Sequence, residues 1–261
     1  MFRSLHIAAT GMAAQEARLD AISNNLANTS TVGYKKVRAD FQDLMYQTLH
    51  AAGTQTSAQN VSPTGLQVGS GVRLVATSHQ FLQGGIQNTG NSLDVAIEGS
   101  GFLVVQQPDG TMAYTRAGTL KSDPQGRLVT PEGMPLDPPI SIPAEAISVS
   151  IGSEGTVSAT LKGQQTPSQL GQLQLANFIN PAGLNSIGHN LYTATAASGD
   201  PQVGNPGTDG RGLLLQGAVE LSNVDVAEEM VSLIQAQRGY EVNTKVITAA
   251  DSMLQSATNL R

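Results

Sequence analysis

The chain has 261 residues, room for one large domain or two small ones and for a sizeable core. Charged residues make up only 13%, against ~25% in an ordinary soluble domain, and the net charge is −6. These values exclude a nucleic-acid binder and a basic membrane-surface protein, and the absence of cysteine excludes disulfides, thiolate metal sites and Cys nucleophiles. No apolar run approaches the ~18 residues of a membrane span, so no membrane insertion is expected. Near the N-terminus, Glu16, Arg18 and Asp20 interrupt the apolar residues, which is not the pattern of a secretory signal. Export of this chain would need another route.

The two ends read as helices. Leu5, Met12, Leu19 and Leu26 recur every seven residues, with Ala8, Gln15 and Ile22 at the alternate seam positions. At the other end Val226, Leu233, Tyr240, Ile247 and Leu254 form a second heptad line, with Met230, Gln237, Thr244 and Asp251 as its partner positions. A further stripe, Val242, Val246, Ala249, Met253 and Leu260, widens the apolar face. Asn223 or Asp225 suits the N-cap, and Glu228 and Glu229 suit the positive end of the helix dipole. At ~1.5 Å per residue the helices span roughly 37 Å and roughly 50 Å. Neither buries enough surface to stand alone, so pairing as a coiled coil is expected, with the leftover stripe covered by another copy. Termini that order only in an assembly follow from this. Gly239, inside the second helix, costs ~1 kcal/mol against Ala, so it marks either an exposed site or a close backbone approach.

Between the helices the chain reads as β-rich. No Asp, Glu, Lys or Arg occurs from Leu44 to Val72, and the Ser/Thr/Gln/Gly-rich tract from Ala51 to Gly71 has a linker composition. Leu93, Val95 and Ile97 alternate before Gly99-Ser100-Gly101, and Pro108-Asp109-Gly110 marks a turn. Ile147, Val149 and Ile151 should pair with Val157, Ala159 and Leu161 across Gly152–Gly155. Asn180–Gly183 and the run from Gly204 to Gly212 are loops. No fixed-period repeat points to a solenoid or propeller. The fold class is therefore mixed α and β: terminal helices paired as a coiled coil around a central all-β domain.

Little in the chain carries chemistry. His6, His50, His79 and His189 are isolated, and each is read as a surface or packing residue. No nucleophile-elbow, P-loop or dinucleotide motif occurs. Gly69-Ser70-Gly71 and Gly99-Ser100-Gly101 read as bulges or turns. Asp200 and Asp209 match no cation-loop spacing. The local basic cluster, Lys35, Lys36 and Arg38, is expected on a solvated face or in a salt bridge to a neighbouring subunit. No catalytic residue, cofactor or metal is expected. An adhesin trimerised by its terminal helices and a β-fold polysaccharide hydrolase are the alternatives; the latter needs a clustered acid pair, of which the sparse carboxylates give no sign.

A resemblance adds to this reading. Ser23–Asn28, with Asn24, Asn25 and Asn28, then Thr31-Val32-Gly33-Tyr34-Lys35, resembles the N-terminal signature of the bacterial flagellar axial proteins of rod and hook. Glu220–Asp225 with Asn223, then Glu228–Val231, then Gln237-Arg238-Gly239-Tyr240-Glu241, resembles their terminal helix motif. Leu93–Gly99 and Ala113–Gly118 resemble their central β-domain motifs. The motifs span nearly the whole chain in order, with Gly239 departing from the usual Ala. The length and the uncharged stretch 46–63 resemble the distal rod type, another axial subunit (proximal rod or short hook) being the alternative. The resemblance implies an inner-core helix over 1–30, an extended connection over 31–72 containing the 46–63 insertion, a β-domain over 73–222 and a second inner-core helix over 223–261. It implies a straight, stiff, torque-carrying tube around an export channel, with the insertion ordered between subunits rather than flexible. Implied partners are copies of the chain itself, proximal rod and hook proteins, the P and L rings as bushing, the rod cap and the flagellar type III export apparatus. The expected location is the basal body across the periplasm, reached without a cleaved signal. The assembly interface would then hold Leu5, Met12, Leu19, Ile22, Leu26, Val226, Met230, Leu233, Tyr240, Ile247 and Leu254, with Ser252, Gln255, Ser256 and Asn259 towards the channel.

Overall fold

The computed structural model describes residues 2–57, 60–163 and 166–259. The chain divides into two compact units. One takes Met1–Leu26, Val37–Ser78 and Asp225–Arg261, and the other takes Ala27–Lys36 and His79–Val224.

The first unit holds both long helices, α1 (Phe2–Ala27) and α2 (Val226–Asn259). Asp225 rather than Asn223 caps α2: its Oδ1 accepts from Ala227 N at 2.8 Å and Glu228 N at 3.3 Å. The helices touch along their length in opposite directions. Asn25 Nδ2 lies 3.5 Å from Glu229 Oε2, and Thr244 Oγ1 lies 3.7 Å from the Met12 sulfur. A Cβ on Gly239 would meet Gln15, and one on Gly11 would meet Asn243. Each step down α1 is thus met by an equal step up α2.

The residues turned inward differ in part from the expected seam. On α2 the line Leu233, Ile247 and Leu254 is half-buried, as its spacing implies. Its alternate positions are Glu229, Ala236, Asn243 and Ala250, one residue before Met230, Gln237, Thr244 and Asp251, which are all exposed. On α1 the most buried residues are Ala8, Ala14, Ile22 and Asn25. The reason is size. Small and amide side chains let the two backbones come close, so large residues are pushed to the flanks. Gly239 is neither an exposed site nor open space. A Cβ there would sit 3.1 Å from the Gln15 side chain, whose Oε1 is buried without a partner among the described residues. That amide end can shift cheaply, so Gly239→Ala should stabilise α2 by about 0.5–1 kcal/mol. Thermal melts followed at 222 nm check this; a lowered midpoint would show that Gln15 is locked.

The rest of this unit is a two-stranded ribbon. Val37–Asp43 pairs with Val72–His79, Gln47–His50 with Leu66–Val68, and Gln55–Ser57 with Asn60–Val61. The tract read as a linker from its composition is therefore, where described, paired backbone. Residues 58 and 59 of the 46–63 insertion lie outside the described residues, as do Leu260 and the side chain of Asn259.

The second unit is built on a six-stranded antiparallel sheet in the order Asn185–Gly188, Leu191–Thr193, Met112–Thr115, Phe102–Gln106, Leu175–Asn177, Gln202–Gly204. Its central strands are apolar on both faces, so they read as continuous runs. Leu103, Val105, Ala113, Leu175 and Leu191 face the main core, while Phe102, Val104, Tyr114, Ala176 and Tyr192 face an aromatic cluster completed by Phe81, Phe178 and Leu184. In that cluster Phe81 packs edge-on to Phe102 and to Tyr192, both at 5.2 Å. The predicted hairpin forms, with Ile151 opposite Val157 and Val149 opposite Ala159. Its register shifts between Ala146 and Ser148, so Ala146 pairs with Leu161 and Ile147 is left exposed.

Candidate assembly interface

Within the first unit, α2 keeps a large apolar surface that its own chain does not cover. Val231, Ile234, Val242, Val246 and Met253 are exposed, and helical spacing puts them away from the Leu233–Ala236–Ile247–Ala250 seam. Of the expected interface residues, Ile22 is buried in the chain itself. Leu5, Met12, Leu19, Leu26, Leu233, Ile247 and Leu254 are half-buried, and Val226, Met230 and Tyr240 are exposed. Ser252 and Ser256 are exposed and donate to backbone oxygens of their own helix, at 2.8 and 2.9 Å. The ribbon is apolar and exposed as well: Met45 is 90% exposed, and Tyr46, Leu49, Leu66 and Val75 are exposed beside it. A two-stranded ribbon with apolar side chains in water needs a further surface.

Asn25 ties this unit together. Its Oδ1 accepts from Val37 N at 2.8 Å and its Nδ2 donates to Val37 O at 2.9 Å, so the amide stands in for a strand neighbour at the foot of the ribbon. Glu228 stays exposed in the first turn of α2, and Gln237 and Arg238 are exposed further along.

The other signature residues converge inside the second unit. Lys35 is fully buried, which corrects its placement on a solvated face or against a neighbouring subunit; only Arg38, paired with Asp40 at 2.9 Å, is exposed as expected. Lys35 Nζ donates to Glu220 Oε1 and to Leu82 O, each at 2.6 Å. Glu220 is fully buried too, and its second oxygen accepts from Arg116 Nε at 2.8 Å. Arg116 also donates to Gly101 O at 3.1 Å, Gly99 O at 2.8 Å and Ile97 O at 3.5 Å, and lies 5.9 Å from the Phe102 ring centre. Gly84 N completes the set by donating to Glu220 Oε1 at 2.8 Å. Burial, then the charge of Arg116, push the Lys35 pKa below its ordinary value, and Glu220 acts against them.

Gly33 and Asn223 fix the backbone around this cluster. Gly33 has φ +71° and donates its N–H to Glu220 O at 2.8 Å; a Cβ there would lie 2.6 Å from Ala117 N, so no other residue fits. Asn223 accepts from Lys36 N at 2.7 Å and donates to Gln80 O at 2.8 Å. Tyr34 is buried, and Asn28 receives the Thr31 hydroxyl at 3.1 Å. Glu220 and Arg116 stand in the resembling motifs, yet nothing local marked them as partners of Lys35. The available signal was a charged residue inside an otherwise apolar stretch.

His79 packs edge-on to Tyr192 at 5.5 Å, with its Nδ1 3.3 Å from Lys35 O. Burial lowers its pKa. The unfolded chain therefore takes up a proton near pH 6.5 that the folded chain resists, and stability falls as pH drops through that window. Denaturation midpoints from pH 7 to 5 should decline in the native chain and decline less in His79→Leu; equal slopes would assign the effect elsewhere.

A cleft of about 260 Å³ in this unit is lined by Val32, Thr115, Thr130, Met134 and Leu191 among others, with Glu132 paired to His189. Its lining holds one carboxylate, where glycoside hydrolysis needs two. Among the described residues no His/Asp/Glu group is placed to hold a metal, and no helix is long and apolar enough to cross a membrane.

Comparison with known proteins returns three matching family descriptions along the chain. Residues 5–35 match the flagella basal body rod protein family, 96–159 the flagellar hook protein FlgE/F/G D1 domain, and 215–260 the flagellar basal body rod FlgEFG protein C-terminal family. Each matched segment contributes one member of the Lys35–Arg116–Glu220 cluster. Full-length relatives include flagellar basal-body rod proteins FlgG from Buchnera aphidicola of Schizaphis graminum (52% identical, all of both chains) and from Borreliella burgdorferi (49%, all of this chain and 99% of the relative). The FlgG protein of Bacillus subtilis is 41% identical over all of both chains.

Proposed function

Since this chain belongs to the flagellar basal-body rod proteins and is a structural subunit of that rod, we propose that its copies form the straight distal segment. In this reading they stack through heterologous contacts into an open helical tube. The terminal helices pair as a coiled coil and form the inner wall, with Ser252, Gln255 and Ser256 towards the export channel. Leu5, Met12, Leu19, Leu26, Val226, Met230 and Tyr240 add to the contacts between copies. The β unit forms the outer wall, where sparse charge suits rotation inside the P and L rings. Torque passes through packing to the hook, and no catalytic step is involved.

The observation that carries the reading is the apolar far face of α2 together with the exposed ribbon: two different uncovered surfaces on one chain, as a heterologous polymer needs. The ribbon is the part that stiffens the tube by packing between copies. Its Gln, Ser and Thr side chains hydrogen-bond across subunits without the desolvation cost of charge. Delivery through the flagellar type III apparatus, growth under a rod cap, attachment to proximal rod proteins and a periplasmic course belong to the same reading.

Light scattering on dilute chain and negative-stain imaging of concentrated chain test it. Monomers that become open straight tubes are expected, and removal of residues 2–28 should abolish them. Closed trimers would favour the adhesin, and normal tubes from the truncated chain would remove α1 from the wall.

A further inference from the structure

The strands that open the second unit are paired with the strands that close it. Val95–Glu98 pairs with Leu213–Gln216, and Ile86–Asn88 with Ala218–Glu220. Gly33, earlier still, donates to Glu220 O. The main core needs Val95, Ile97 and Leu214 together. Contacts between segments more than a hundred residues apart form only when both segments are present and the loop between them has been closed.

The charges impose the same condition. Lys35, Arg116 and Glu220 are buried, and each comes from a different third of the chain. A chain with residues 27–219 in place would hold two cations facing carbonyl oxygens and no anion. Uncompensated charge in such a site opposes folding strongly. Without Lys35, by contrast, Arg116 and Glu220 still neutralise each other.

We infer that the Lys35–Glu220–Arg116 cluster and the end-to-end strand pairing act as a completion lock, so that the β unit folds only once residues 213–220 are available. A chain delivered in pieces then has no stable folded intermediate. The use of the lock, keeping a subunit threadable until nearly all of it has passed a narrow channel, rests on the proposed delivery as an unfolded rod subunit. The folding order does not.

Refolding of the full chain followed by pulsed hydrogen exchange reads that order directly. Amides of 102–106, 112–115 and 175–177 should gain protection in the same phase as those of 213–220. Protection of the central sheet ten times faster than that of 213–220 would overturn the lock. A second full-length chain carrying Lys35→Met, Arg116→Met and Glu220→Leu keeps the pairing and removes the charges. There the central sheet and 213–220 should still gain protection together, since the pairing remains, but sooner than in the native chain; an unchanged rate would overturn the role of the charges. Polymerisation of the same native preparation reads the rod function separately.

Discussion

Glu220→Gln in the full chain should destabilise the β unit far more than Lys35→Met, although both changes break the same 2.6 Å ion pair. The difference lies in what is left behind. Losing Glu220 leaves Lys35 and Arg116 buried with no counter-charge and weakens the acceptor for Gly84 N. Breaking a buried pair in that way costs about 3–5 kcal/mol. Losing Lys35 removes the excess cation, spares the burial cost that already depresses its pKa, and leaves the Arg116–Glu220 pair intact. The Leu82 carbonyl keeps its bond from Asn223 Nδ2 at 3.1 Å, so losing the Lys35 donor costs only about 0.5–1.5 kcal/mol, partly offset by packing of the Met side chain. Denaturant midpoints of the two variants, with the native chain as reference, measure the contrast. Equal losses would mean that the cluster acts through shape alone.

What could be read from residue order alone follows distance along the chain. The 146–161 hairpin was legible because its register is set by a short Gly-containing turn and local alternation. The helices were legible because large apolar residues recur at helical spacing. Their contact surface was only half legible. Ala236, Ala250 and Gly11 have no size to mark them, and a search for large residues picks out the flanks that the close approach pushes outward. Lys35 reads as solvated or as paired with a neighbouring subunit because its partner is 185 residues away, and no local pattern encodes a pairing across that span. The tract 51–71 carries a linker composition although its described strands are paired, and its residues at 51–54 and 63–67 are exposed. Composition reports what a side chain prefers in the isolated subunit. Surfaces that the subunit itself leaves uncovered therefore read as excess hydrophobicity or as looseness.

Replacing Ile234 and Val242 together by glutamate should abolish tube formation and leave the subunit folded. Both side chains are exposed on α2, two helical turns apart, away from the contacts that α2 makes with α1. Glutamate has a better helix propensity than either β-branched residue, and both new carboxylates lie four residues from Arg238, so the helix itself should not weaken. In an interface between copies the same carboxylates would have to be buried, at several kcal/mol each unless a cation met them. Even ~3 kcal/mol raises the concentration needed for assembly by more than a hundredfold. Helical circular dichroism and the β-unit melting midpoint should match the native chain, while sedimentation and negative-stain images show no tubes. Tubes of native length from the Ile234→Glu, Val242→Glu chain would place the α2 far face in water and leave the exposed ribbon as the remaining contact between copies.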